Sequence, residues 1–272
     1  MTDTIEKWIP KLFAKKKSMK EYLKELVPTI EPHVVQSFTR LMDVFATSEA
    51  KFIGFSIVNK AETYWNLLEK WLTFCIIWSF GATLDETGHK HFDSIIRDIE
   101  SMFPSNLTVF DYYINNDKNE WAGWEDKISA TIWKPPANAP FHKMLVPTID
   151  SARNRFVLMN CLQHRVHTLS VGVTGTGKTV LINEILSELD ETIWKSTNLI
   201  FSSQTSSQKT QETIEGKLVR RAKTKMVPDG KRMVIYVDDL NMPKKDVFGS
   251  QPPLELIRQW MDYEGWFDRQ QK

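Results

Sequence analysis

Residues 166–189 read VHTLSVGVTGTGKTVLINEILSEL, and the fold is decided there. Val166 to Val171 is a short apolar stretch that predicts a strand. Gly172-Val173-Thr174-Gly175-Thr176-Gly177-Lys178-Thr179 fits the pattern G-x-x-x-x-G-K-[ST]. Beyond it Leu181, Ile182, Ile185, Leu186 and Leu189 fall on one face of a helix. Glycines let the backbone curl until successive amides point at an anion, and the helix start adds its positive dipole end. Gly172, Val173, Thr174, Gly175, Thr176, Gly177, Lys178 and Thr179 are therefore the nucleotide-binding candidates. Lys178 would bridge the β- and γ-phosphates as a point charge, and the Thr179 hydroxyl would ligate Mg²⁺.

A second motif lies downstream. MVIYVDD runs from Met233 through a continuous apolar stretch to Asp238 and Asp239, as a parallel strand buried on both faces requires. Ligand chemistry in α/β proteins gathers at such strand ends. Asp238 is expected to hold the Mg²⁺ shell through water, and Asp239 is the catalytic candidate, placed to polarise an attacking water. A further strand is predicted at Asn198 to Ser202, with a helix from Ile214 to about Lys223 between the two. Helices are also predicted at Ser151 to Gln163 and from Pro252 onward, where the paired prolines suit a first turn and Leu254, Ile257, Arg258 and Met261 keep register. The fold class is α/β: a P-loop core with a parallel sheet flanked by helices.

Upstream the texture differs. Phe38, Leu41, Met42 and Phe45, then Trp65, Leu68 and Leu72, recur at helical spacing, so the first 80 residues read as helical throughout. Trp71 to Phe80 is the most apolar run, but its ten residues are about half a bilayer crossing and predict a buried helix. From Thr83 to Pro147 short segments rich in Asp, Asn, Gly, Pro and Trp predict an irregular connecting layer. The expected divisions are a helical region over 1–82, an irregular extension over 83–145 and the P-loop core over 146–272.

Composition bounds the rest. The 272 residues suffice for about two domains. Thirty-five Lys and Arg against 34 Asp and Glu leave a net charge of +1, which excludes a globally basic nucleic-acid binder. Two cysteines, Cys75 and Cys161, fit neither a disulfide framework nor a zinc spacing. Residues 1–20 carry charges every few positions, so no secretory leader is expected.

The longer strings carry a resemblance. VGVTGTGKTVLINEIL, FSSQTSSQKTQETIEGKL and VIYVDDLNMPKKDVFGSQPPLELIRQWMDYEGWFDR resemble the third AAA+ module of a dynein heavy chain, most similar to the axonemal branch. WSFGATLDETGHKHFD, VFDYY, WAGWEDK and VPTIDSARNRF resemble the segment joining the second module to the third, and the N-terminal helices resemble the small lid part that ends the second. The resemblance implies an excerpt of a heavy chain with six modules in a ring, working as a microtubule motor in the cytoskeleton of a cilium or flagellum axoneme. It implies ATP or ADP with Mg²⁺ as cofactors, and a regulatory module whose nucleotide state gates ring conformation. It places Val146, Pro147 and Thr148 against the adenine base. It implies neighbouring AAA+ modules as partners, with intermediate and light chains and microtubules engaged elsewhere in the parent chain, and neither nucleic acid nor a membrane. Asp239 stands where Glu is the commoner AAA+ residue, one methylene longer, which implies weaker water activation. The sensor, own lid and arginine finger of a complete site would lie outside residues 1–272, so weak ATP binding and negligible hydrolysis are expected of these residues alone.

Two other readings stay open: a ring segment that binds no nucleotide, and a nucleic-acid-handling P-loop ATPase using the basic stretch Lys217 to Arg232. That stretch lacks the aromatic side chains that stack on bases. Asp85, His89, His91 and Asp93 imitate a metal site, but no cysteine or third histidine accompanies them in what reads as a surface turn. Trp121, Trp124 and Trp133 read as core plugs.

Overall fold

The computed structural model describes residues 10–12, 14, 22–46, 61–99, 103–104, 106–129, 146–223 and 225–268. The chain forms two compact units, Met1–Lys178 and Thr179–Lys272.

In the first unit, α1 (Glu31–Ala46) buries Val34, Phe38, Leu41 and Phe45 at four- and three-residue spacing and leaves its other face wet. Helix α2 (Ala61–Phe80) is apolar nearly all round, burying Leu67, Trp71, Phe74, Ile76 and Phe80 among others, and so runs through the core. No helix among the described residues is long and apolar enough to cross a membrane. Helix α3 (Glu86–Ile99) buries Phe92, Ile95 and Ile96. A hairpin of β1 (Tyr112–Asn115) and β2 (Glu120–Gly123) leads into a short α4 (Trp124–Ser129). Helix α5 (Ile149–Gln163) returns to the core, where Phe156 lies 5.6 Å from Phe45 and 6.1 Å from Phe74, ring centroid to centroid. Phe45 also stacks on Trp71 at 4.9 Å, so one aromatic cluster ties α1, α2 and α5 together. Cys75 and Cys161 are buried free thiols; burial pushes both pKa values up, Cys161 to about 11, which keeps them unreactive.

In the second unit, β3 (Trp194–Ile200) and β6 (Arg232–Asp238) form a parallel pair in register from Trp194 against Arg232 to Ile200 against Asp238. Between them in sequence lie α7 (Ser207–Glu215) and the antiparallel hairpin β4 (Val219–Ala222) with β5 (Lys225–Val227). The unit starts within α6 (Lys178–Ser187) and ends with α8 (Pro252–Tyr263), which opens on the two prolines as expected. Its core is small: Leu199, Phe201 and Ile214, with Ile235, Val237, Leu254, Ile257 and Trp266 packed around them.

Several expectations are corrected. Val166–Val171 forms no strand; Leu169 and Val171 remain 65% and 43% exposed, and a strand exists only where a neighbour completes its ladder. The helix expected over 214–223 is a helix ending at Glu215 followed by the β4–β5 hairpin, because Gly216 ends the helix and residues 219–227 pair across a turn. Strand β3 begins at Trp194 and ends at Ile200, earlier than the expected 198–202. Strand β6 is half-buried along Met233–Asp238, not buried on both faces. Over 83–129 the chain is more regular than irregular, and residues 22–30 are not helical: Glu25 bridges Leu84, and Leu26 N–H donates to the Thr83 carbonyl at 2.9 Å. Trp124 is buried and Trp121 half-buried on the core as expected; Trp133 lies outside the described residues.

The metal-like cluster is spent on structure. Asp85 accepts from Gly88 N–H at 2.8 Å, Asp93 pairs with Arg97 at 3.0 Å and accepts from Val109 N–H at 2.7 Å, and His91 meets Tyr22 edge-on. These residues sit on or beside α3, not in a surface turn, and the His89 ring lies 4.4 Å from that of Phe110 with its Nε2 buried and unpartnered.

Phe74, 1% exposed, touches Phe45, Trp71 and Phe156, so Phe74→Ala is expected to cost about 3–5 kcal/mol, read as a lower urea midpoint by tryptophan fluorescence. Burial, then the nearby Arg153 charge, lowers the His89 pKa from 6.5, against opposing pulls from the Gly81 backbone, Asp85 and Glu86. The unfolded chain therefore binds this proton more readily. The stabilisation is present above the unfolded value of 6.5 and is lost as pH falls toward and through the lower folded value. Urea midpoints measured from pH 8 to 5 should fall in the native chain and fall less in His89→Leu.

Candidate functional site

The loop Gly172–Gly177 is shaped by backbone that only glycine adopts cheaply. Gly175 and Gly177 have φ of +84° and +79°, and open space surrounds the place where each would carry a Cβ, so backbone conformation fixes their identity. Lys178 opens α6 and turns back over the loop: its Nζ donates to the Gly172 and Val173 carbonyls at 2.9 and 2.7 Å and lies 3.4 Å from Thr176 Oγ1. Thr176 Oγ1 in turn donates to the Val173 carbonyl at 2.9 Å, bracing the curl.

In the second unit the decisive contact is between Thr179 and Asp238, 59 residues apart in sequence. Thr179 Oγ1 donates to Asp238 Oδ2 at 3.0 Å and lies 3.3 Å from Oδ1. The ladder with β3 extends to this point, since Phe201 N–H donates to the Asp238 carbonyl at 3.0 Å. Asp239 N–H donates to Asp238 Oδ1 at 3.1 Å, so the carboxylate is held by a side chain and by the backbone after it. Asp239 itself is exposed, with φ +54°, and its carbonyl accepts from Met242 N–H at 2.9 Å, closing a tight turn. Asp tolerates this left-handed conformation better than most residues.

Sequence reasoning missed Tyr236. It sits two residues before Asp238, on the same face of β6, near enough for Thr179 and Asp238 to act on its hydroxyl. Burial raises its pKa, the Thr179 bond opposes this, and Asp238 and Asp239 add to it. The two-residue period from Asp238 was the available signal.

Val146, Pro147 and Thr148 are exposed just ahead of α5. The Thr148 hydroxyl accepts from Ser151 N–H at 3.1 Å, and Thr148 N–H donates to Ser151 Oγ at 2.8 Å, a reciprocal cap. Among the described residues no hydrogen bond joins these three to the loop. His164 and His167 end α5 and begin the following extended stretch; the His164 ring meets the Asn160 carbonyl at 2.9 Å.

The donor set fits a hard cation. A threonine hydroxyl and a carboxylate, both oxygen and one anionic, are the chemistry Mg²⁺ takes.

Comparisons with known proteins identify the family. A family model described as a P-loop containing dynein motor region matches residues 133–272, and one described as a dynein heavy chain AAA lid domain matches residues 1–126. The chain is 40% identical to the dynein-1-beta heavy chain of the flagellar inner arm I1 complex from Chlamydomonas reinhardtii, over 91% of this chain and 6% of that one. It is 41% identical to dynein axonemal heavy chain 2 from Homo sapiens, over 97% of this chain and 6% of that one. Against human dynein axonemal heavy chain 6 the identity is 37%, over 81% of this chain and 6% of that one. The chain thus spans about 6% of the length of these curated relatives, which are axonemal or flagellar heavy chains, consistent with the cytoskeleton of a cilium or flagellum. With a P-loop motor region over its C-terminal half and a lid domain over its N-terminal half, the chain belongs to the dynein heavy chain family.

Proposed function

We propose that residues 146–272 are a regulatory nucleotide-binding module of an axonemal dynein heavy chain, whose ATP- or ADP-bound state biases the conformation of a ring of AAA+ modules. The observation that carries this is the contact of the Thr179 hydroxyl with the Asp238 carboxylate at 3.0 Å. It joins the residue after the phosphate-loop lysine to the end of the strand where such sites keep their acid.

In this reading the amides of residues 172–178 face the phosphates, and Lys178 exchanges the carbonyls of Gly172 and Val173 for phosphate oxygens. An ammonium gains more from an anion than from neutral carbonyls, so the exchange is downhill. Thr179 and, through water, Asp238 would hold Mg²⁺, which when bound neutralises phosphate charge. Tyr236 would keep both oxygens in place. Asp239 is the proposed water-polarising group, and Val146, Pro147 and Thr148 the proposed adenine contacts. Gating follows only if nucleotide binds two ring conformations with different affinity. Neighbouring modules, intermediate and light chains and microtubules are the partners proposed for the whole protein, and hydrolysis by these residues alone is proposed to be weak or absent.

Titration with a fluorescent ATP analogue and Mg²⁺ tests the reading. Saturable binding is expected, weakened about ten-fold or more by Lys178→Ala, which removes a charge-assisted contact. Binding that never saturates, or is indifferent to Lys178→Ala, would overturn this reading and favour the inert ring segment instead. In the same assay Asp238→Asn should remove most of the affinity gained on adding Mg²⁺ while leaving Mg²⁺-free binding nearly unchanged. Asp239→Asn should alter affinity less than about two-fold, because the Asp239 carboxylate is placed to act on water and not on the phosphates.

A further inference from the structure

Residues 217–232 contain Lys217, Arg220, Arg221, Lys223, Lys225, Lys231 and Arg232 against Asp229 as the sole acid. In the structure this stretch holds the β4–β5 hairpin, and all seven cations are exposed. Hydrogen bonds tie parts of the stretch in place. Arg220 Nη1 donates to the Lys223 carbonyl at 2.9 Å, the Lys217 carbonyl accepts from Lys195 Nζ at 2.8 Å, and Lys231 Nζ donates to the Glu191 carbonyl at 2.6 Å. Only part of the charge is answered: Arg221 lies 3.4 Å from Asp229 and Arg220 3.8 Å from Asp268. Lys217, Lys223 and Lys225 pair with no acid among the described residues.

We infer that the β4–β5 hairpin is a docking surface for an acidic polypeptide segment, rich in Asp and Glu and extended along the hairpin. Three observations converge on that occupant. The chain as a whole is nearly neutral, so the excess is local and not a property of the protein's overall charge. The hairpin is a sheet of two strands whose outer edges join no other ladder among the described residues, leaving backbone donors and acceptors for an extended chain to meet. Residues 217–232 contain no Phe, Tyr or Trp, and the neighbouring Trp194 ring is already faced by Arg232 at 5.5 Å, which disfavours the stacking that holds single-stranded nucleic acid. The same cations that would attract an acidic strand repel a second copy of this hairpin, which keeps an open edge from self-pairing.

The experiment is fluorescence anisotropy with a fluorescein-labelled ten-residue polyglutamate peptide and, in parallel, a labelled single-stranded DNA of equal charge. The native chain should bind the peptide saturably, more weakly as salt is raised, and more tightly than it binds the DNA. The variant Lys217→Ala/Lys223→Ala/Lys225→Ala should weaken the peptide about ten-fold or more with an unchanged urea midpoint. Lys118→Ala/Lys244→Ala/Lys245→Ala, which removes the same charge elsewhere, should change peptide affinity less than about two-fold. Lys178→Ala should leave it unchanged, which separates this surface from the nucleotide site. An absence of saturable peptide binding, equal losses in the two triple variants, or tighter binding of the DNA would each overturn the inference.

Discussion

The parallel ladder between Trp194–Ile200 and Arg232–Asp238 is the constraint on which the site depends. Parallel strands end at the same edge, so the register that sets Ile200 against Asp238 also sets where the loop after β3 departs and where the carboxylate stands. A slip by one residue would turn Asp238 and Tyr236 to the opposite face and break the contact of Asp238 with Thr179. The register is held by packing on one side, where Leu199, Phe201 and Ile214 are buried together, and by the Phe201 amide bonded to the Asp238 carbonyl. The Thr179–Asp238 contact is thus positioned by a small core and a seven-residue pairing.

What was legible in the sequence follows the physics of local signals. The glycine loop declares itself because positive φ at Gly175 and Gly177 leaves little choice of residue. Helix α8 declares itself because paired prolines suit a first turn, and α2 because its apolar run is too short for a bilayer. The opposite case is Lys217–Val227, where Leu, Arg, Ala and Lys are good helix formers. The chain still folds as a hairpin, since pairing of Val219 with Val227 and Arg220 with Met226 outweighs a propensity of tenths of a kcal/mol per residue. Helix α3 was hidden by its polar face, although Phe92, Ile95 and Ile96 carry the three- and four-residue spacing. Val166–Val171 shows the limit of propensity in the other direction: β-branched residues do not make a strand without a partner.

The site was legible in kind but not in detail. Thr179 and Asp238 were each identifiable from a motif, yet their direct contact depends on a register that no window of sequence contains. Tyr236 was passed over because an aromatic in an apolar run reads as packing. Its nearness to Thr179 and Asp238 is visible only once the strand is seen to be half-buried.

The geometry at the strand end also bears on why the acid at 239 is short. Asp238 accepts from the Thr179 hydroxyl and from the Asp239 amide, so its oxygens are held in place by the very turn that carries Asp239 away from the ladder. That turn sets Asp239 at φ +54°, a conformation Asp reaches more readily than a longer acid would, because its short side chain can satisfy nearby backbone. A longer acid would extend further toward a water but would have to adopt the same backbone with less local support. The turn therefore favours a firmly held Asp238 carboxylate over reach at the next position. On the regulatory reading proposed above, a module built in that way would retain nucleotide better than it consumes it.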